Sequence, residues 1–310
     1  IWRQRVGVER VGVHTIFCEL GGYSILSIQV VARARQAGLH FTARQLFESP
    51  TIAALAAVAD AGRMSTAEQG EVTGPVPLTP IQRWFFEQEL PEPQHWNQSV
   101  LLAVSRPLER RWLEPAVGRL LEHHDALRLR FERGDSGWRQ EHAAAGGEVA
   151  FGWADLSGFS PAEQKTALER QAAAAQKGLD LGRGPLLRVV YFELGAGRGG
   201  RLLLVGHHLA LDGVSWRILL EDLQAVYGQL SRGLPVELPA KTSSFQHWAQ
   251  RLERYAQSAE LRQELSYWES LGRGAAGRLP VDFSGGANTE VSAASVSVSL
   301  SAEQSCALVQ

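Results

Sequence analysis

The sequence predicts two structural classes in one chain: a small all-α helical bundle over residues 1–60 and an α+β lobe over residues 77–310. In the first segment, apolar residues recur at helical spacing. In the second, alternating and continuous apolar runs are interleaved with amphipathic helices. Residues 61–76, between the two, have no aromatic residue and are rich in Gly, Ser, Thr and Glu, which is typical of a linker.

Three helices are expected in the first segment. Residues Ser24–Ala37 carry apolar side chains at helical spacing, and Gly38 is a natural C-terminal stop. A short helix follows at Thr42–Phe47. We expect Ser49-Pro50-Thr51 to supply the N-cap and a first-turn proline for a helix that runs to Ala59.

Strands and helices are both expected in the second segment. The predicted strands are Trp96–Val104, Ala126–Arg133, Leu186–Leu194, Arg201–His208 and Val291–Leu300. The predicted helices are Glu109–His123, Pro161–Lys177, Ser215–Leu230 and Ser243–Leu271, with a further helix start after Ser301. Residues 195–200 are too few for a parallel crossover, so the two strands that flank them should pair antiparallel.

Composition excludes several functional classes. A net charge of −2 gives no basic signature for nucleic acid or an anionic membrane. No apolar stretch approaches the roughly 20 residues of a membrane-spanning helix, and Ile1–Arg5 carries charge where a signal peptide needs an apolar core. The two cysteines, Cys18 and Cys306, form no disulfide framework. These features predict a cytoplasmic protein.

The strongest chemical signal is the tract Gly206–Trp216, where an apolar strand ends in two histidines and a helix follows. Strand parity sends His207 and His208 to opposite faces. Gly206 shares the face of His208 and should leave room beside it, so His208 is the candidate to meet substrate. Such a histidine pair can also be purely structural. We expect no metal site, because adjacent strand residues diverge and the cysteines are far apart in sequence.

A second signal is the glycine pair before the first long helix. Gly21 and Gly22 permit a tight loop, and Ser24 stands where the helix begins. A serine there can be simply an N-cap. A helix N-terminus also favours a phosphate group through its free N–H groups and its dipole.

These tracts resemble known motifs. Residues 206–216 resemble the HHxxxDG signature of condensation and epimerization domains of nonribosomal peptide synthetases, and the Val-Ser-Trp continuation is similar to the epimerization branch. Residues 78–86 and 95–99 resemble further epimerization-domain motifs, with Trp96 in a position usually held by Phe. Residues 17–26 resemble the LGGxS motif of peptidyl carrier proteins.

The resemblance implies a fold and domain limits. Residues 1–60 would be a carrier domain with an incomplete first helix, and residues 61–76 a linker. Residues 77–310 would be a chloramphenicol-acetyltransferase-like lobe of the condensation/epimerization fold, continuing into the start of a largely absent second lobe. The chain would then be truncated at both ends.

The resemblance also implies an activity. Ser24 would carry 4′-phosphopantetheine, which holds an aminoacyl or peptidyl thioester, and the second domain would invert its Cα from L to D. Expected partners are an upstream adenylation domain, a downstream condensation domain and a phosphopantetheinyl transferase. A condensation domain that forms a peptide bond, and a non-catalytic docking module, are the alternatives.

Roles for individual residues follow from the same resemblance. His208 would be the general acid/base, supported by His207, Asp212, Gly213 and Arg128. Arg128 would pair with Asp212 and hold its loop in place. The tract 123–128, although it contains two more histidines, is interpreted as structural because it joins a helix to an alternating strand.

Overall fold

The computed structural model describes residues 1–3, 7–61, 67–135, 137–195, 198–273, 280–283, 285–286, 289 and 292–309. Contacts within the chain divide it into two units, Ile1–Gln257 and Ser258–Gln310. None of the described helices combines the length and apolarity required to cross a bilayer.

The N-terminal segment is helical, as predicted. Helices α1, α2 and α3 span Ser24–Gln36, Ala43–Glu48 and Ile52–Val58, and a short ladder pairs β1 (Leu39–His40) with β2 (Asp60–Ala61). The buried core of this segment consists of Trp2, Phe17, Leu26, Val30, Leu46 and Leu55.

One cap in this segment differs from the expectation. The side chain of Thr51 accepts the Ala54 N–H and caps α3. Pro50 therefore precedes the cap and is not the first helical residue. Thr51 can take this position because its backbone is extended, whereas its hydroxyl reaches forward to the free N–H groups.

The remainder of the first unit is a mixed lobe. Its strands are β3 (Gly74–Val76), β4 (Asn97–Val104), β5 (Leu129–Gly134), β6 (Gly137–His142), β7 (Phe151–Asp155), β8 (Leu187–Glu193) and β9 (Gly200–His207). Its helices are α4 (Pro80–Glu87), α5 (Arg110–His123), α6 (Pro161–Lys177), α7 (Gly213–Ser231) and α8 (Phe245–Ala256), with 3₁₀ turns at Pro93–His95 and Asp125–Arg128.

The larger sheet has the order β4-β9-β8-β7, with β7 parallel to β8 and the other pairs antiparallel. The predicted antiparallel pairing of β8 with β9 is thus confirmed. Strand β9 is apolar on both faces because each face is covered. Leu202 and Leu204 belong to the core that α5 and α7 share, whereas Leu203 and Val205 pack with α6 residues.

Part of the predicted linker belongs to the smaller sheet, whose order is β3-β6-β5. Strand β3, at residues 74–76, pairs antiparallel with β6, and Val76 lies opposite Gln140. Val72 is buried as well. Residues 72–76 lack the aromatic residues that usually mark a strand, so composition alone could not separate this edge strand from a linker.

A buried ionic cluster holds the start of this lobe against the 3₁₀ turn. The Asp125 carboxylate accepts from Arg128 Nη2 at 2.8 Å, from Lys241 Nζ at 3.1 Å and from the Val72 N–H at 3.3 Å. The five guanidinium N–H groups of Arg128 have acceptors, four of which are backbone carbonyls, those of Leu121, Glu122, Val72 and Ala143. The predicted strand Ala126–Arg133 accordingly begins only at Leu129.

The structure differs from the prediction for two of the elements expected after Ser243. The expected helix Ser243–Leu271 is divided into α8, α9 (Ala259–Gln263) and α10 (Leu265–Arg273), because the hydroxyl of Ser258 caps a new helix start. Residues 292–300 of the predicted strand Val291–Leu300 are not a strand, and Val291 lies outside the described residues. The helix start after Ser301 is confirmed by α11 (Ala302–Val309).

We expect Arg128→Met to lower the free energy of unfolding of the lobe by about 3–5 kcal/mol, because it removes one of the two cations paired with the buried Asp125 carboxylate and leaves four backbone carbonyls without this donor. Arg119→Met is the matched control, since Arg119 also pairs at i,i+3, with Glu122, but on the surface. That variant should cost less than about 1 kcal/mol. Urea unfolding followed by tryptophan fluorescence measures both, and equal losses would contradict the assignment.

Candidate functional site

The two adjacent histidines lie where β9 ends, beside the first residues of β4. The register places Asn97 opposite His207 and Gln98 opposite Gly206. The His208 N–H continues the ladder by donating to the Trp96 carbonyl at 3.0 Å. The site is therefore built from segments about 110 residues apart in sequence.

His207 is a buried, neutral histidine. Its side chain is fully enclosed, Nε2 donates to the Pro93 carbonyl at 2.8 Å, and Nδ1 accepts the Leu209 N–H at 3.1 Å. A proton on Nδ1 would destroy the second bond. Burial, helped by the nearby His208, lowers the pKa of His207 from 6.5 to about 4, against the raising effect of the Pro93 carbonyl.

His208 is exposed and holds its proton on the other nitrogen. Its Nδ1 lies 2.9 Å from the Leu211 carbonyl, which can only accept, so Nδ1 carries the hydrogen of the neutral ring. The lone pair of Nε2 then faces outward, 3.5 Å from Gln98 Nε2. The two histidines thus lie on opposite faces, as strand parity predicts, and of the two only His208 presents an unprotonated nitrogen at the surface.

Gly206 acts differently from the expectation. A Cβ at Gly206 would lie 2.1 Å from a methyl group of Leu211, so the space beside it is filled by that side chain and is not free for substrate. Leu211 can bury itself there, with 4% exposure. Since its carbonyl accepts from His208, the missing side chain of Gly206 orients the histidine ring indirectly.

Asp212 caps helix α7. Its carboxylate accepts the Val214 and Ser215 N–H groups at 3.0 and 2.9 Å and the Ser215 hydroxyl at 2.8 Å. Burial alone would raise the pKa of Asp212, but these hydrogen bonds and the nearby His208 lower it below its ordinary value. Gly213 opens the helix, and a Cβ there would meet no atom within 4 Å.

The expected ion pair between Arg128 and Asp212 is not what the structure holds. Arg128 lies in the 3₁₀ turn and pairs with Asp125, and its five N–H groups are engaged there. Asp212 takes its partners from its own helix. Asp212 is thus architectural, but through a local cap that the spacing Asp212–Ser215 could have indicated.

Gln98 and Trp216 are site residues to which the sequence analysis assigned no role. The Trp216 indole N–H donates to Gln98 Oε1 at 3.0 Å, which leaves the amide nitrogen directed toward His208. Both residues lie in tracts that resemble family motifs, yet no spacing rule connects positions so far apart. The pairing of β4 with β9 brings them together.

The glycine pair before α1 forms a tight turn that leads into Ser24. Gly21 has φ +85°, and a Cβ at Gly22 would lie 2.5 Å from the Phe17 ring and carbonyl, so the turn needs glycine at both positions. Ser24 is the first residue of α1. Its side chain lies outside the described part of the structure.

One group in the described chain has metal-ligand chemistry: the ligand atoms of His123, His124 and Asp222 lie within 4.8 Å of one another. His124 Nε2 is 2.8 Å from the Asp222 carboxylate, and this bond joins the end of α5 to α7. Burial and the neighbouring His124 lower the pKa of His123, whereas the Asp222 carboxylate acts to raise it. Because the Asp222 carboxylate already binds His124 and this bond joins two helices, we assign the cluster to helix packing.

The enclosure of His207 predicts a pH-dependent loss of stability. Its folded pKa, about 4, is below the ordinary 6.5, so its stabilising contribution is complete above pH 6.5 and falls between 6.5 and 4. The loss should approach about 3 kcal/mol. We expect His207→Gln to flatten this part of the unfolding free energy against pH. His14→Gln, at an exposed histidine, is the control, and an unchanged slope in His207→Gln would contradict the assignment.

Comparison with known proteins identifies both segments. Residues 72–310 match the condensation domain family, and residues 1–59 match the family described as a phosphopantetheine attachment site. A linear gramicidin synthase chain of Brevibacillus parabrevis is 51% identical over 312 residues, covering 100% of this chain and 6% of that protein. Chondramide synthase of Chondromyces crocatus is 46% identical over 314 residues, covering 100% of this chain and 8% of that protein.

Solved structures support the same relationship. The epimerization domain from the third module of a tyrocidine synthetase matches with a TM-score of 0.65 and 37% identity, covering 70% of this chain and 48% of that one. The starter condensation domain of rhizomide synthetase shares the fold, with a TM-score of 0.55 and 21% identity over 65% of this chain and 48% of that one. The chain therefore belongs to the condensation-domain family of nonribosomal peptide synthetases, with a carrier domain for 4′-phosphopantetheine at its N-terminal end.

Proposed function

We propose that this chain is the carrier and the first lobe of an epimerization domain, which inverts the Cα of a carrier-bound aminoacyl or peptidyl group from L to D. The observation that carries the proposal is the 2.9 Å contact between His208 Nδ1 and the Leu211 carbonyl, from which the tautomer follows. With Nδ1–H tied to the Leu211 carbonyl, an exposed Nε2 lone pair is available as a base. The 37% identity to a solved epimerization domain, against 21% to a condensation domain, favours epimerization.

Ser24 is the proposed attachment site of 4′-phosphopantetheine. When bound, this group supplies a flexible thiol on which the amino acid is held as a thioester. The Gly21-Gly22 turn sets Ser24 at the start of α1, where backbone N–H groups without helical partners favour a phosphate. A phosphopantetheinyl transferase would be the partner that installs it, with adenylation and condensation domains as neighbours in the assembly line.

His208 is the proposed general base for the Cα proton. A thioester carbonyl acidifies the adjacent C–H, and an imidazole with a free nitrogen is suited to proton transfer near neutral pH. His207 cannot share this role, because both of its nitrogens are occupied by backbone groups. Asp212 holds the loop by capping α7, and the Leu211 carbonyl orients the His208 ring. Gly213 leaves the space beside the first residue of α7 unfilled.

We expect Ser24 to be the sole site of modification. Incubation with a broad-specificity phosphopantetheinyl transferase and coenzyme A should add one arm to the wild-type chain, as measured by intact-mass spectrometry. Ser24→Ala should add none, whereas Ser27→Ala, at a buried serine in the same helix, should be labelled like wild type. Labelling of Ser24→Ala would contradict the assignment.

We expect His208→Ala to slow solvent deuterium uptake at Cα by about 10²–10⁴-fold in the full-length protein that contains these residues, the usual effect of a general base. His207→Gln should retain most of the exchange, provided that its circular dichroism matches wild type. A larger effect in a folded His207→Gln variant would reverse the assignment. Peptide-bond formation without Cα exchange would favour the condensation reaction.

A further inference from the structure

A side-chain amide lies beside the proposed base, in one defined orientation. Gln98 projects from β4, one residue beyond the pair Asn97–His207. Its amide nitrogen is 3.5 Å from His208 Nε2, and its amide oxygen is 3.0 Å from Trp216 Nε1. Gln98 therefore connects the base to a buried tryptophan of α7.

The orientation of the amide follows from the chemistry of its partners. The indole N–H of Trp216 can only donate, so the group that faces it must be the oxygen of Gln98. The NH₂ group must then face His208, whose Nε2 is the acceptor because Nδ1 holds the proton. Trp216 is held in place by burial, with 8% of its surface exposed.

The NH₂ group of Gln98 can donate a further hydrogen bond. It carries two N–H groups, and the His208 ring is its partner among the described residues, at a distance where hydrogen bonds are weak. The second N–H of this group has no acceptor among the residues that the structure describes. A donor beside a base, at the edge of a partly exposed strand, can therefore bind an atom of the substrate.

Charge develops at such an atom when a thioester loses its Cα proton. The proton passes from Cα to His208 Nε2, the C–H electron pair forms a carbon–carbon double bond, and the negative charge moves to the carbonyl oxygen. Cα and this oxygen are attached to the same carbonyl carbon. A base and a donor 3.5 Å apart can consequently contact the proton and the oxygen of one substrate group.

We propose that Gln98 is a catalytic residue that donates a hydrogen bond to this oxygen as the charge develops, and that Trp216 is the positioning residue that orients its amide. The proposal rests on the proposed function, because it takes the Cα–H of a thioester as the reacting group. Removing one donor of this kind typically lowers kcat by about 10²–10³-fold.

Three variants separate the steps of the proposal. Gln98→Leu removes the donor. Gln98→Glu keeps the shape and the acceptor for Trp216 but places an oxygen where the NH₂ group was. Trp216→Phe retains the buried ring and leaves the Gln98 amide free to rotate. Ser99→Ala is the matched control on the same strand, since the Ser99 hydroxyl contacts Gln176 and not the histidine.

The variants are compared by Cα deuterium exchange in the full-length protein loaded with an L-aminoacyl thioester. We expect the first-order rate constant of exchange to fall about 10²-fold or more in Gln98→Leu and Gln98→Glu, and less in Trp216→Phe. Ser99→Ala should match wild type. Wild-type exchange rates in a folded Gln98→Leu variant would overturn the role of Gln98. Absence of exchange in the wild-type protein would overturn the proposed function, and with it that role.

A measurement without turnover tests the geometry. In ¹⁵N-labelled protein, the Trp216 indole N–H resonance should move to higher field in Gln98→Leu and stay near its wild-type position in Gln98→Glu. The ¹⁵N shifts of the neutral His208 ring should show a protonated Nδ1 and a free Nε2. A protonated Nε2, or an indole resonance that ignores Gln98→Leu, would overturn the arrangement.

Discussion

The antiparallel pairing of β4 with β9 is the interaction on which the site depends. Eight residue pairs, from Asn97–His207 to Val104–Gly200, set the register. They bring Gln98 beside His208 and align the Trp96 carbonyl with the His208 N–H. A slip of one residue would exchange the faces of the two histidines, so that the base would be buried and the structural histidine exposed. The register is held by apolar side chains on both faces of β9.

The turn after β9 gives the two adjacent histidines, His207 and His208, different environments and therefore different roles. His207 is enclosed, and both of its nitrogens bind backbone groups, so it stabilises the turn as a neutral ring. His208 has one nitrogen bound to the Leu211 carbonyl, and its other nitrogen lies at the surface, 3.5 Å from Gln98 Nε2. The arrangement depends on Gly206, whose missing side chain admits Leu211 under the turn. Asp212 then ends the turn by capping α7.

A separate ionic cluster connects the linker end to the lobe, and it shows why residue pairs are hard to predict. Arg128 and Asp212 carry opposite charges, and the family resemblance implied that they form an ion pair. Yet Arg128 finds an acceptor three residues away in Asp125 and four backbone carbonyls around it. Other partners satisfy both side chains, so neither needs the other. The acceptors of Arg128 could not be predicted from spacing alone, because the Val72 and Ala143 carbonyls meet it only in the folded chain.

The sequence by itself determined the classes of structure, most helix and strand positions, and the placement of Ser24 and His208. It could do so because these depend on local periodicity, on caps and glycine turns, and on the alternation of strand faces. Only the tertiary structure decided that residues 74–76 form a strand, that Leu211 fills the space beside Gly206, and that Gln98 lies between Trp216 and His208. Each of these contacts joins segments that meet only after the sheet has formed or the chain has turned, and side-chain packing across such distances is not encoded in any local pattern.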